Sequence, residues 1–313
     1  MITQVQSNVK WSEHKKANER TIQKLHLLGK HRRATRMRNC ASFMDVYLCP
    51  CCGKVKVKSA NYCKDRLCAV CNWRLSLQRY VQMRQIMDYI KSHDDSLHYT
   101  FLTLTVKNCK PETLSETLQN MADGWKRLIQ RKFFKDRIIG WARSLEITYN
   151  KYSRELHPHY HIILISKDKL DIGYTERQLK HMWQDCMRLS YEPIIDLREI
   201  HSHTGTEDEA LSKSILETYK YVVKSKHLDD MPLGVFKEFS EQLSGKRLLA
   251  FGGIIKEAKA LLRLDMEELQ DGELKDITCH NCNRDMQLAV AQWCWDTQTY
   301  EYLIKIDSER QVS

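Results

Sequence analysis

Nowhere in the chain do about 18 apolar residues run together, which excludes a helical membrane span. The first residues carry no apolar core of the kind a secretory signal needs. No internal repeat and no low-complexity linker breaks the chain, and glycine and proline are sparse at 11 and 5 of 313 residues. The missing export signal bears on the 12 cysteines: in a protein expected in a reducing cytoplasm they point to metal ligation rather than disulfides. At this length one sizeable core plus one or two small modules can form.

Acidic residues are outnumbered, and the net charge of +10 favours a polyanionic partner, most simply nucleic acid. The imbalance is steepest in residues 1–39, where ten Lys or Arg (Arg32, Arg33, Arg36 and Arg38 among them) face only Glu13 and Glu19. That segment reads as a basic N-terminal tail, either solvated or ordered on contact with DNA. Residues 40–95 read as a zinc-binding module whose connecting helix covers 75–92. Residues 96–230 form an α+β domain with a mainly antiparallel sheet, and 231–313 a helical C-terminal region with a second candidate metal site. Within the α+β domain, strands are expected at 98–107, 139–149, 158–166 and 193–200, and helices at 113–135, 174–190 and 208–227. Leu114, Leu118, Met121, Trp125 and Leu128 form the apolar stripe of the first of these helices.

The densest chemical signal is His157-Pro158-His159-Tyr160-His161, followed by Ile162-Ile163-Leu164-Ile165. In a strand, residues two apart share a face. His157, His159 and His161 therefore point one way while Tyr160, Ile162 and Leu164 pack the other, and imidazoles so aligned can bind a divalent metal. Glu146 is the candidate third ligand. It sits in an apolar strand, Leu145-Glu146-Ile147, that pairs with the histidine strand as a hairpin, and a carboxylate there is expensive to bury without a cation. The competing reading is an edge-strand glutamate facing water.

Glu217, Tyr221 and Lys224 are spaced i, i+4 and i+7 in a segment that reads as helix, so they are expected on one face. Tyr219 lies on the opposite side with Ile215 and Val222 and reads as core. Tyr221 is then the candidate nucleophile, Lys224 a cation for its phenolate or for a phosphate, and Glu217 a general base for water.

Cys63-x4-Cys68-x2-Cys71 has zinc-ligand spacing. Cys40, Cys49, Cys51 and Cys52 are the upstream candidates for completing it, Cys49 and Cys52 being a Cys-x2-Cys of their own. Cys279-His280-Asn281-Cys282 is a further Cys-x2-Cys that binds its own zinc or shares one with spare N-terminal thiolates. Cys109 and Cys186 are isolated and read as packing residues. Lys126, Arg127, Arg131 and Lys132 are candidate phosphate contacts.

Together these segments resemble the rolling-circle replication initiators of small bacterial plasmids, within the His-hydrophobic-His (HUH) endonuclease superfamily. Phe101-Leu102-Thr103-Leu104-Thr105 resembles the first motif of that family. His157–His161, with His159-Tyr160-His161 as the metal-binding unit, resembles the second, and Tyr221-Val222-Val223-Lys224 the third. Gly124–Leu128, Leu145–Asn150, Cys63–Cys71 and Phe251-Gly252-Gly253 match its flanks, so the resemblance runs from about residue 36 to 266. It implies that 96–230 is an HUH endonuclease domain using Mg2+ or Mn2+, with structural Zn2+ nearby. It also implies a single tyrosine that nicks plasmid origin DNA, single-stranded or hairpin, and stays on the 5′-phosphate while a host helicase and DNA polymerase extend the 3′-end. Glu217 resembles the glutamate that ends replication by hydrolysis, and Cys40, Cys63, Cys68 and Cys71 the recurrent cysteines. Cys49, Cys52, Cys279 and Cys282 fall outside that pattern. A homodimer is among the assemblies it allows. A transposase or relaxase of the same superfamily, and a non-catalytic zinc-finger repressor, are the competing functions.

Overall fold

The computed structural model describes residues 9–200, 206–219, 223–266, 268–269 and 277–304. In chain order these form helices α1 (Val9–Lys16), α2 (Glu19–Leu27) and α3 (His31–Arg38), strands β1 (Phe43–Leu48) and β2 (Val55–Ala60), helix α4 (Ala69–His93) and strand β3 (His98–Thr105). Helices α5 (Leu114–Leu128) and α6 (Lys132–Arg137), strands β4 (Ile138–Asn150) and β5 (Glu155–Ser166), helix α7 (Ile172–Met187) and strand β6 (Ile195–Glu199) follow. Then come helices α8 (Glu207–Thr218), α9 (Ser225–Asp230) and α10 (Leu233–Gln242), strand β7 (Leu249–Gly252), helix α11 (Gly253–Leu261) and strands β8 (Gln287–Cys294) and β9 (Thr299–Ile304). They fall into two compact units, one drawn from 1–74 with 268–313 and one from 75–267. The fold is α+β, with two antiparallel sheets flanked by helices.

The larger unit carries a five-stranded sheet in the order β6-β3-β5-β4-β7. β5 is its central strand, so residues 156–165 are apolar on both faces apart from the histidines. One face sets Phe101, Ala142, Ile163 and Ile165 against Met83 and Ile86 of α4, Ile215 at the end of α8, Tyr219 and Ile255 of α11. On the other, Trp125 of α5 meets Trp141 and Tyr160 edge-on at 4.9 and 6.5 Å between ring centres, and Trp183 of α7 meets Tyr160 at 6.4 Å. The stripe predicted for α5 is buried throughout.

β7 turns directly into α11 at Gly253, whose φ is +54°, and a Cβ there would run into the Ile139 carbonyl. Left-handed backbone and overpacking each cost an L-residue about 1–2 kcal/mol or more. Gly253→Ala is accordingly expected to destabilise the protein by about 2–4 kcal/mol, read as a lowered urea midpoint with unchanged slope.

The smaller unit carries a four-stranded sheet in the order β2-β1-β8-β9, and here two expectations change, a third changing in the larger unit. Residues 9–38 are not a tail. α1, α2 and α3 bury Trp11, Ile22, Leu25, Ala34 and Met37, and the Lys15 ammonium donates to the Cys40 carbonyl at 2.6 Å. The apolar residues are spaced for helix stripes among many charges, and net charge says nothing about packing. The C-terminal region is not mostly helical: β8 pairs with β1, from Gln287 opposite Leu48 to Gln292 opposite Phe43, and β9 extends the sheet. The alanines of Leu288-Ala289-Val290-Ala291 mute the strand signal, and only the neighbouring strands make them a core.

The third change concerns 208–227. α8 ends at Thr218, Lys224 is extended with φ −72° and ψ 143°, and a separate helix starts at Ser225. The Ser144 hydroxyl donates to the Thr218 carbonyl, a group that a continuing helix would use itself, so a tertiary contact overrides local helix preference. The helix expected over 113–135 also breaks, between α5 and α6, and Phe134 turns into the core.

Candidate active site and metal centres

Glu146 of β4 stands directly opposite His159 of β5, and Ser144 opposite His161. Because both strands alternate, all four side chains project from one face. The Glu146 carboxylate sits between the two imidazoles, its Oε2 2.8 Å from His161 Nε2 and 3.3 Å from His159 Nε2. All three residues are buried. Burial alone pushes the Glu146 carboxyl up, but hydrogen bonds from His159 and His161 and their charge outweigh it and hold it well below the usual carboxylate range. His159 Nδ1 is held by the His157 carbonyl at 3.3 Å, and His161 Nδ1 faces Thr103 Oγ1 at 3.4 Å. Each ring thus turns Nε2 towards the shared carboxylate, as metal-binding histidines do.

These donors fit a divalent cation. The ligand atoms of Glu146, His159 and His161 all lie within 4.8 Å of one another. Neighbouring ligands about 2.1 Å from an octahedral ion are about 3 Å apart, close to the separations seen. Two imidazoles and one carboxylate would supply three ligands to such an ion, fewer than the six of an octahedral shell. His157 is not in this group: its ring Nδ1 meets Asn108 Oδ1 at 2.9 Å.

The chain beside this triad is tied down on both sides of residues 220–222. Upstream, Thr218 is bonded to Ser144, and Tyr219 is 1% exposed with its hydroxyl directed at Met83 Sδ. Burial raises the Tyr219 phenol far above its ordinary value, which suits a core residue. Downstream, Val223 is buried, and His227 of α9 hydrogen-bonds the Tyr149 backbone. Burial lowers the His227 pKa, the nearby Lys224 adds to that, and the Glu146 charge opposes it. Tyr221 itself lies outside the described residues. Glu217, on α8, pairs with Arg198 at 3.3 Å, and Lys224 is on the far side of the helix break, so the single helical face expected for Glu217 and Lys224 does not exist.

The cysteines form two four-thiol groups, Cys40 with Cys63, Cys68 and Cys71, and Cys49 with Cys52, Cys279 and Cys282. In the first, Sγ–Sγ distances are 3.4 Å for Cys40–Cys71, 3.6 Å for Cys63–Cys71 and 3.6 Å for Cys68–Cys40. In the second they are 3.3 Å for Cys49–Cys282 and 3.5 Å for Cys52–Cys279. Thiolates around a tetrahedral zinc with bonds of about 2.3 Å are separated by about 3.8 Å, so both groups could hold such a metal. The thiols also disagree over protons in the way such a group must. In the second group the backbone of Cys52 pulls Cys49 down to about 6, while the Cys49 thiol and then burial push Cys282 up. Only a cation lets all four ionise together. Asn18, in the turn before α2, donates to Cys68 Sγ at 3.3 Å. Cys51 and Cys294 join neither group.

Of the candidate phosphate contacts, Lys126 pairs with Asp123 at 2.9 Å, Arg127 donates to the Cys186 carbonyl at 2.7 Å and Arg131 is 4.0 Å from Asp185. Lys132 opens α6 and is exposed. Ser144 and Asn108 escape notice in the sequence, and Thr103 stands out there only as part of the first motif. Of the first two, Ser144 alone carries a signal, since it lies two residues from Glu146 in a strand.

The sequence profile of a family described as "Replication protein" matches residues 54–301. The chain is 29% identical to "Protein rep" of Lentilactobacillus hilgardii over 93% of this chain and 94% of that protein. It is 32% identical to "Protein rep" of Bacillus amyloliquefaciens over 79% and 77%. With "Protein rep" of Streptococcus pneumoniae serotype 2 the identity is 30% over 81% and 78%. No solved structure matches.

Proposed function

Because the chain belongs to the replication-protein family of plasmid initiators, we propose that it starts rolling-circle replication by nicking one strand of the plasmid origin as an HUH endonuclease. A divalent cation held by Glu146, His159 and His161, Mg2+ or Mn2+, would draw charge from the scissile phosphate. Tyr221 supplies the nucleophile. Its phenol oxygen bonds to phosphorus, the bond from phosphorus to the 3′-oxygen breaks, and the phenol proton passes, directly or through water, to the departing 3′-hydroxyl. Lys224 stabilises the phenolate as it forms. The protein stays on the 5′-end while a host polymerase extends the 3′-hydroxyl behind a host helicase.

At termination Glu217 takes a proton from water. That water attacks the phosphotyrosine, and the bond from phosphorus to the tyrosine oxygen breaks, restoring the phenol. In the smaller unit, the two cysteine groups each hold a structural zinc.

The observation that carries the reading is the buried Glu146 carboxylate between His159 and His161, at 3.3 and 2.8 Å. The described residues on either side of Tyr221 are bonded to β4 before and after Glu146, which supports Tyr221 as the attacking group. Incubation of the protein with a single-stranded origin hairpin and Mn2+ is expected to yield a covalent adduct on a denaturing gel, and Tyr221→Phe to yield none. Failure of the wild type to form it, or its persistence in Tyr221→Phe, overturns the proposal. Glu217→Ala is expected to form the adduct at nearly the wild-type rate but to release it about a hundredfold more slowly, as followed in a chase. Equal slowing of both steps would remove Glu217 from its role as base.

A further inference from the structure

The smaller unit contains a second arrangement suited to nucleic acid, independent of the triad. α2 and α3 are joined by only Leu28, Gly29 and Lys30. Gly29 takes φ +69°, its N–H bonds to the His26 carbonyl at 2.9 Å, and the Lys30 N–H bonds to the Leu25 carbonyl at 2.9 Å. These two bonds cap α2 and turn the chain sharply into α3. Ile22 and Leu25 of α2 are buried, as are Ala34 and Met37 of α3. Two short helices, a three-residue glycine turn and a shared apolar seam make a helix-turn-helix unit.

The two faces of α3 do different things. On the inner side Arg33 is anchored, its Nε and Nη2 donating to Asp65 at 2.6 and 2.9 Å. At 100° per residue, His31, Arg32, Thr35, Arg36 and Asn39 fall within an arc of about 140° on the outer side. These five, with Tyr62 and Lys64, line an open groove of about 790 Å³. The arc holds no carboxylate. Arg32 has no hydrogen-bond or ion-pair partner among the described residues, and Arg36 touches only the Cys63 carbonyl, at 3.3 Å. The Cys63 contact and the Asp65 clamp fix the helix to the loop that carries the first cysteine group, so its outer face is presented on a rigid base.

We propose that α3 is a recognition helix that enters the major groove of duplex DNA, reading base edges through Arg32, Thr35 and Arg36. A major groove about 12 Å wide admits an α-helix, and arginine fits the two acceptors of guanine. The positive outer face complements the phosphate walls. This gives the protein a sequence-reading contact with double-stranded DNA, separate from the strand it cuts.

The test uses the full chain without Mg2+ or Mn2+, so that cleavage plays no part and failure of the nicking mechanism would not register. A randomised duplex pool is selected for binding, and the enriched duplex is compared with a scrambled one and with its own single strand. The wild type is expected to enrich a motif and to prefer it over the scrambled duplex by about tenfold or more. Arg32→Ala with Arg36→Ala is expected to bind both duplexes alike while keeping its zinc. Lys91→Ala with Lys167→Ala, which removes the same charge from exposed sites elsewhere, is expected to keep the preference. Should the arginine pair lose zinc, Arg32→Ala alone decides, by the same criterion. The proposal is overturned if the arginine variant retains the preference, if no duplex motif is enriched, or if the single strand binds better.

Discussion

His161→Ala is expected to slow strand cleavage by about three orders of magnitude, close to 4 kcal/mol of transition-state stabilisation, in single-turnover assays at high Mn2+. The size of the effect follows from how few groups make the site. His161 Nε2 is the nearer imidazole to Glu146, at 2.8 Å, and its loss leaves two protein ligands on adjacent strands. Glu146→Gln keeps the shape, removes the negative charge and should cost about as much. Removing His161 also takes one of two hydrogen bonds from a buried carboxylate, at about 1–3 kcal/mol of stability. Rates therefore have to be compared below the melting temperature of both proteins. A variant that is folded, less stable and still cleaving within about threefold of the wild-type rate would show that the triad is a structural ion cluster and not the site of cleavage.

The second large effect concerns the two cysteine groups. Loss of one zinc per chain is expected from Cys68→Ser and from Cys282→Ser, measured by metal analysis of the purified proteins. Cys51→Ser should lose none, because Cys51 is exposed and outside both groups. The consequences differ with chain topology. Cys68 belongs to a group closed largely within residues 40–71. Cys49 and Cys282 are 233 residues apart, and a crosslink closing so long a loop removes about 5 kcal/mol of chain entropy from the unfolded state. Cys282→Ser should thus free the β8–β9 hairpin to limited proteolysis at protease levels that leave the wild type intact. An uncut hairpin in a zinc-depleted Cys282→Ser protein would show that the sheet pairing with β1 holds without the metal.

Much of the candidate site could be read without a structure because strand alternation is a local rule. His159 and His161 share a face by period two, and Glu146 announces itself as a charge inside an apolar strand. The partner hairpin follows from the short connection between them. The candidate nucleophile was a harder case. Ile215 to Lys224 has helical periodicity, and the shared face of Glu217 and Lys224 depended on that helix running on. It stops at Thr218, where a hydroxyl two residues from Glu146 takes the carbonyl, and no window of sequence contains both partners of that bond. The N-terminal helices are hidden in the sequence for a related reason. Ten cations dominate the composition of 1–39, while the packing that makes these helices a folded unit includes contacts outside that segment, Trp11 meeting Trp73 at 4.9 Å between ring centres.

What the amino-acid order determined alone was therefore whatever a few consecutive residues can dictate. It set the facing of the histidines, the bite of each Cys-x2-Cys and the buried stripe of α5. Only the tertiary structure decided which thiol pairs meet, where α8 ends, and which side of α3 is left to solvent. These outcomes depend on contacts between segments tens to hundreds of residues apart. Such contacts form only when the whole core closes, and their free energy then overrides the weaker local preferences.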